Sequence, residues 1–175
     1  MSHSDNDVTA AFLHEARKTL RRCSGKIIHC LQQLSDDDVN WRPFPEANSV
    51  ANIVTHLCGN VGQWIITAVG GAPANRDRPG EFARDLRATP AELTQRLEST
   101  IRQADAAIAA VTDDTLLATR TIQGDDETVL SAIFHAVTHF EGHTHQVVYI
   151  ARLRLGDRYV FKWTPSTPEQ VSAGR

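Results

Sequence analysis

ETVLSAIFHAVTHFEGHTHQVVYIARLRL, residues 127–155, is a proline-free run that Gly156 ends, and its spacing predicts one long helix. His135, His139 and His143 recur in it every four residues. At about 100° per residue, positions four apart on a helix are turned only about 40° from each other. Three imidazoles therefore share one stripe. Leu130, Val137, Val148 and Leu155 fall nearly opposite His139 on the wheel, while Ala136, Phe140 and Val147 fill its near shoulder, so the stripe borders the apolar face. Gln146 stays on the stripe, whereas Glu141 and His145 leave it. Two helical histidines at this spacing, with a third ligand from elsewhere, are a recurrent way to hold a transition metal. The spacing leaves open which pair does so, His135/His139 or His139/His143.

Working outward, residues 7–34 read as an amphipathic helix in which Phe12, Ala16, Leu20, Cys23, Ile27, Leu31 and Leu34 form the buried stripe. Ser35-Asp36-Asp37-Asp38 breaks that pattern, and Trp41-Arg42-Pro43-Phe44-Pro45 forms a connection. A second helix opens at Asn48 or Ser49 and runs to about Val69, where Gly70-Gly71 stops it. Residues 72–88 are polar, with two prolines, and read as a long crossover loop. Thr89-Pro90-Ala91-Glu92 carries a cap, a first-turn proline and a capping box, and opens a third helix reaching about Val111. Residues 112–126 read as another loop, and no strand pattern of any length competes with the four helices. Tyr159, Phe161 and Trp163 alternate, which allows a short extended segment packed on the bundle. The expectation is an all-α four-helix bundle with a long crossover between its second and third helices. It forms one domain over residues 1–175, with a core of about 7–161 and a tail of 162–175.

Helix two offers the third ligand. Val50, Val54, Leu57, Val61, Trp64 and Ala68 make its apolar face, while His56 shares a stripe with Ser49, Asn52, Asn60 and Gln63, and Gly59 beside it leaves room. His56 with two histidines of helix four would provide three nitrogen ligands and leave a position open for water or substrate. The competing reading is a solvated stripe, or core-edge imidazoles satisfied by hydrogen bonds. His3, His14 and His29 have no partner at ligand spacing and read as surface residues. Trp41 and Trp64 read as core anchors. The charged stretch 75–85 is most simply a solvated connection, although Arg76, Asp77 and Arg78 could close over a pocket.

The bulk properties exclude several classes. The chain has 175 residues, 41% hydrophobic content and a net charge of −3, which gives no electrostatic argument for nucleic acid or an anionic membrane. No apolar run reaches the length of a membrane span. Cys23, Cys30 and Cys58 are odd in number and scattered, which fits a cytoplasmic protein; Cys23 and Cys30 read as buried thiols on the first helix, and Cys58, two residues from His56, as an unlikely co-ligand. HExxH is absent because Phe140 follows His139, and the Glu-x-x-His pairs of di-iron bundles are missing.

Four segments carry a family resemblance: LSDDDVNWRP (34–43), NSVANIVTHLCGNVGQWI (48–65), GGAPANRDRPGEFA (70–83) and HAVTHFEGHTHQVVYIARLRLG (135–156). Together they resemble the DinB/YfiT-like superfamily of metal-binding four-helix bundles, in its branch of unknown function. Carried over residue by residue, the family's metal triad falls on His56, His139 and His143, which makes His135 a neighbouring pocket residue. The chain departs from the family in having His145 where a glycine often precedes the Gln. Off the metal face, this predicts a change in packing or surface alone. The resemblance implies one divalent transition metal (zinc or nickel first, iron next) and an activity of thiol S-transferase or hydrolase type. A low-molecular-weight thiol is a possible cofactor and a small molecule the substrate, in a homodimer. The alternative is a non-catalytic metal-binding, small-molecule-binding or stress-related bundle protein. Asn52, Asn60, Gln63 and Gln146 are the polar groups expected to orient a ligand.

Overall fold

The computed structural model describes residues 5–162, with side chains from Val8 onward. Trp163 and the rest of the expected tail, and His3, lie outside the described residues. Four long helices dominate: α1 (Asp5–Leu31), α3 (Val50–Val61), α5 (Pro90–Ala109) and α7 (Val129–Leu155). Three short ones lie between them: α2 (Asp36–Asn40), α4 (Arg78–Glu81) and α6 (Asp113–Leu116). The helix starts follow the chemistry of their caps. Ser49 and Thr89 each accept from the backbone three residues on and are closed by Asn52 and Glu92, respectively, while Thr128 accepts from the Ser131 amide. At its end, α7 stops where Gly156 takes a φ of 54°, a conformation that costs glycine little.

Both α1 and α3 pack against α5 and α7, so the first two long helices sit across the bundle's diagonal. Phe140, Leu20, Ile27, Leu57, Ile65, Leu97, Ile108 and Ile133 fill the space between them. The α1 stripe is buried from Ala16 onward, with Phe12 partly buried at its start and Cys23 and Cys30 inside it. At about 25 cal/mol per Å² of apolar surface removed from water, this core is the main stabilising force.

The connections differ from their sequence reading. Ser35–Asp38 does not simply break the chain; Ser35 caps the one-turn α2, and Asp38 accepts from Arg154 Nε at 2.9 Å, tying the turn to the end of α7. Residues 112–126 are not a plain loop. They hold α6 and most of an antiparallel hairpin, β1 (Thr119–Ile122) with β2 (Asp125–Thr128), in the register Thr119↔Thr128 to Ile122↔Asp125. Its turn, Gln123-Gly124, takes φ values of 57° and 98°, the geometry of a two-residue hairpin loop. Only Ile122 of β1 is fully buried, so the period-two signal was too short to read. His29 is not on the surface: half-buried, its Nε2 lies 2.7 Å from the carbonyl of Val160, where the segment after α7 runs back along α1.

The second long helix changes winding where it passes the histidine stripe. After Val61 it continues as a π-helix over Gly62–Thr67, with Ala68 N bonding Gln63 O at 3.1 Å. Its hydrogen bonds span five residues instead of four, which widens the turn that carries Gln63 and Trp64, and such turns recur at functional sites. Among the described residues, no helix is long and apolar enough to cross a membrane.

Candidate metal centre

His56 comes from the middle of α3 and is 6% exposed; His139 and His143 come from consecutive turns of α7 and are half-buried. Each offers one ring nitrogen, and these atoms all lie within 4.8 Å of one another. His56 Nε2 and His139 Nε2 are 2.9 Å apart. The ring centroids of His143 lie 5.2 Å from those of His56 and 4.5 Å from those of His139. The α3–α7 packing thus closes the geometry that the stripe on α7 could only begin.

Burial favours the neutral form of His56 and His139. Burial, reinforced by His143, His56, His135 and Arg76, pushes His139 down to about 4. Burial also lowers His56, outweighing the hydrogen bond and negative charge of Glu81 that act to raise it. Two rings have their tautomer set by an acceptor. His56 Nδ1–H donates to Glu81 Oε2 at 2.9 Å, and His143 Nδ1–H donates to Gln146 Oε1 at 2.7 Å. In both, Nε2 is left with a lone pair. Nitrogen donors bound to one ion at about 2.0–2.1 Å stand about 2.9–3.4 Å apart, so the observed His56–His139 separation fits a shared cation. A donor set of three imidazoles suits a transition metal.

His135 is outside this cluster. It is exposed, stacks on Trp64 at 3.9 Å and 24°, and lies parallel to His139 at 5.7 Å. Glu141 faces α1 and pairs with Arg22 at 2.7 Å, as its wheel position predicts. Cys58 is buried, and burial pushes its thiol up to about 11, which excludes it as a ready ligand. The polar stripe of helix two has other work than expected. Asn52 caps α3 and donates to the carbonyls of Glu81 and Ala83, while Gln63 Oε1 accepts from Arg76 at 2.7 Å and from Gln123 at 2.8 Å. Asn60 is buried with its Oδ1 unpartnered.

Glu81 is the residue that sequence reasoning missed. Within the supposedly solvated stretch 75–85 it is 4% exposed, gripped through both oxygens by Arg76 at 2.7 and 2.8 Å. Arg76, which the sequence left either solvated or closing over a pocket, is buried against Glu81, a partner that was unforeseen. Phe82 follows, its ring 4.8 Å from that of His56 and 38% exposed. The available signal was local: Asp77 caps the turn by accepting from Gly80 N at 3.1 Å, and Pro79 starts it, so Glu81 had a defined direction.

Two solved structures share this helical-bundle fold. A DinB-like protein from Bacillus cereus superposes with a TM-score of 0.60 at 13% identity, covering 75% of this chain and 85% of that one. A conserved protein from Enterococcus faecalis superposes at 0.70 with 18% identity, covering 82% of this chain and 96% of that one. No curated protein matches. The chain belongs to the family described as a protein of unknown function, DUF1572, which it matches over residues 7–165.

Proposed function

We propose that this chain is a metal-dependent enzyme of thiol S-transferase or hydrolase type, holding one divalent transition metal through His56, His139 and His143. The observation that carries this reading is the convergence of three imidazole donors within 4.8 Å. Zinc or nickel suits the donor set best and iron is a further fit, with cellular supply deciding among them. When bound, such a metal supplies Lewis acidity, lowering the pKa of a water or a low-molecular-weight thiol at its fourth position. The chain's own groups prepare that position. Glu81 and Gln146 hold the Nδ1 protons of His56 and His143, and burial keeps His139 unprotonated at neutral pH. Phe82 offers an apolar contact beside the His56 ring for a small-molecule substrate. We assign the protein to the cytoplasm as a homodimer; Tyr149 and Leu153, exposed one turn apart on α7, supply apolar surface for a second copy.

One observation favours a second reading, a non-catalytic metal-binding or small-molecule-binding protein. Glu81 is the carboxylate at the cluster, and Arg76 and His56 already take both of its oxygens, so it is not a free general base.

Elemental analysis of protein purified without a His-tag or chelator tests the metal, with the His139→Ala/His143→Ala variant alongside. About one zinc or nickel per chain, absent from the variant, is expected. Negligible metal in both, with failure to reload at neutral pH, overturns the proposal. Turnover of thiol-transfer or hydrolysis substrates by the loaded protein then separates the enzyme from the binding protein.

A further inference from the structure

The crossover between α3 and α5 is stitched to the bundle from both sides. Asn52 Nδ2 holds the carbonyls of Glu81 and Ala83 at 2.9 and 3.2 Å, and Arg42 holds Ala83 O at 3.1 Å. The Glu81 carboxylate enters a notch over Gly59, where any added Cβ would collide with it. Arg76 then closes the notch with a bidentate grip on Glu81 and a bond to Gln63. The side chains of this ion pair are 9% and 4% exposed. Removing two charges from water costs several kcal/mol per ion, and buried pairs are often no more stable than apolar replacements. Stability is therefore a weak reason for this pair. What it accomplishes is to aim a carboxylate at His56 Nδ1.

Resting on the metal reading above, we propose that Glu81 is the positioning residue of the metal centre, and that the crossover is a strap whose closure and metal loading are one linked equilibrium. The same carboxylate does both jobs. It receives Arg76, which shuts the strap, and it accepts the His56 Nδ1–H, which leaves Nε2 free for a cation and makes the ring more basic. A group that favours metal only when the strap is closed must, by linkage, make metal favour the closed strap by the same factor.

The test compares zinc affinity, by competition with a chromophoric chelator, in the parent, Glu81→Gln and Gly59→Ala. The second variant keeps every charge but puts a Cβ where the carboxylate sits, and it carries the test alone if Glu81→Gln does not fold. Both are expected to lose about 10–100-fold in affinity. The cobalt(II) visible spectrum, which reads ligand geometry independently of stability, shifts in both and stays unchanged in the strap control Arg78→Gln. Zinc also slows tryptic cleavage at Arg76 and Arg84 in the parent and loses that protection in both variants. Affinities within twofold of the parent, or cleavage indifferent to zinc, overturn the strap while leaving the metal reading intact. A parent that takes up none of zinc, nickel and iron overturns both.

Discussion

Acid should unfold the metal-free protein through His139, and the size of the effect follows from the site. The folded ring sits at about 4, against an ordinary value of 6.5, because it is buried among other imidazoles. Between those values the unfolded chain binds a proton that the folded chain refuses. Stability from this group is thus fully present above about pH 6.5 and is lost as pH falls toward 4. The slope limit is about 1.4 kcal/mol per pH unit, giving a ceiling of about 3 kcal/mol. Water reaching a half-buried ring reduces this to about 2 kcal/mol. For a chain of this size that corresponds to a fall of roughly 4–8 °C in Tm. The assay is thermal unfolding of chelator-treated protein at pH 7, 5.5 and 4.5, beside His139→Gln. Carboxylates titrate alike in both proteins, so the difference between the two curves isolates the histidine. The variant should lie closer to the parent at pH 4.5 than at pH 7. Parallel curves across the whole range would show that His139 is not held neutral, and the argument from burial would be wrong.

Two further outcomes follow from the same geometry. Gln146→Leu removes the acceptor of His143 Nδ1–H and should weaken zinc binding about tenfold, read by chelator competition, with Gln146→Glu restoring it. Burial raises all three thiols, Cys58 to about 11, so a disulfide reagent at pH 8 should label none of them in the folded protein and all three in denaturant.

The helical architecture was legible because its signals are local and repeated. The stripe on α1, the capping box at Thr89 and the four-residue histidine spacing each follow from helix geometry acting on adjacent residues. The hairpin at 119–128 was not legible: four-residue strands with one buried side chain carry too little alternation to outweigh a loop. The π-turn after Val61 leaves no composition signal, since it depends on how α3 meets α5 and α7.

The candidate site divides along the same line. Periodicity alone put His135, His139 and His143 on one face, and family resemblance chose the last two. Only the packing of α3 on α7 brought His56 Nε2 within 2.9 Å of His139 and turned His135 aside onto Trp64. Glu81 lies 25 residues from His56 in the chain, in a stretch whose charge reads as solvated. Beyond the grip of nearby Arg76, its burial was decided by partners distant in the chain: the gap over Gly59 and the Asn52 amide on its carbonyl. Sequence by itself determines helices and their faces, because those depend on neighbours along the chain. Which charges leave water depends on neighbours in space, and that only the tertiary structure decided.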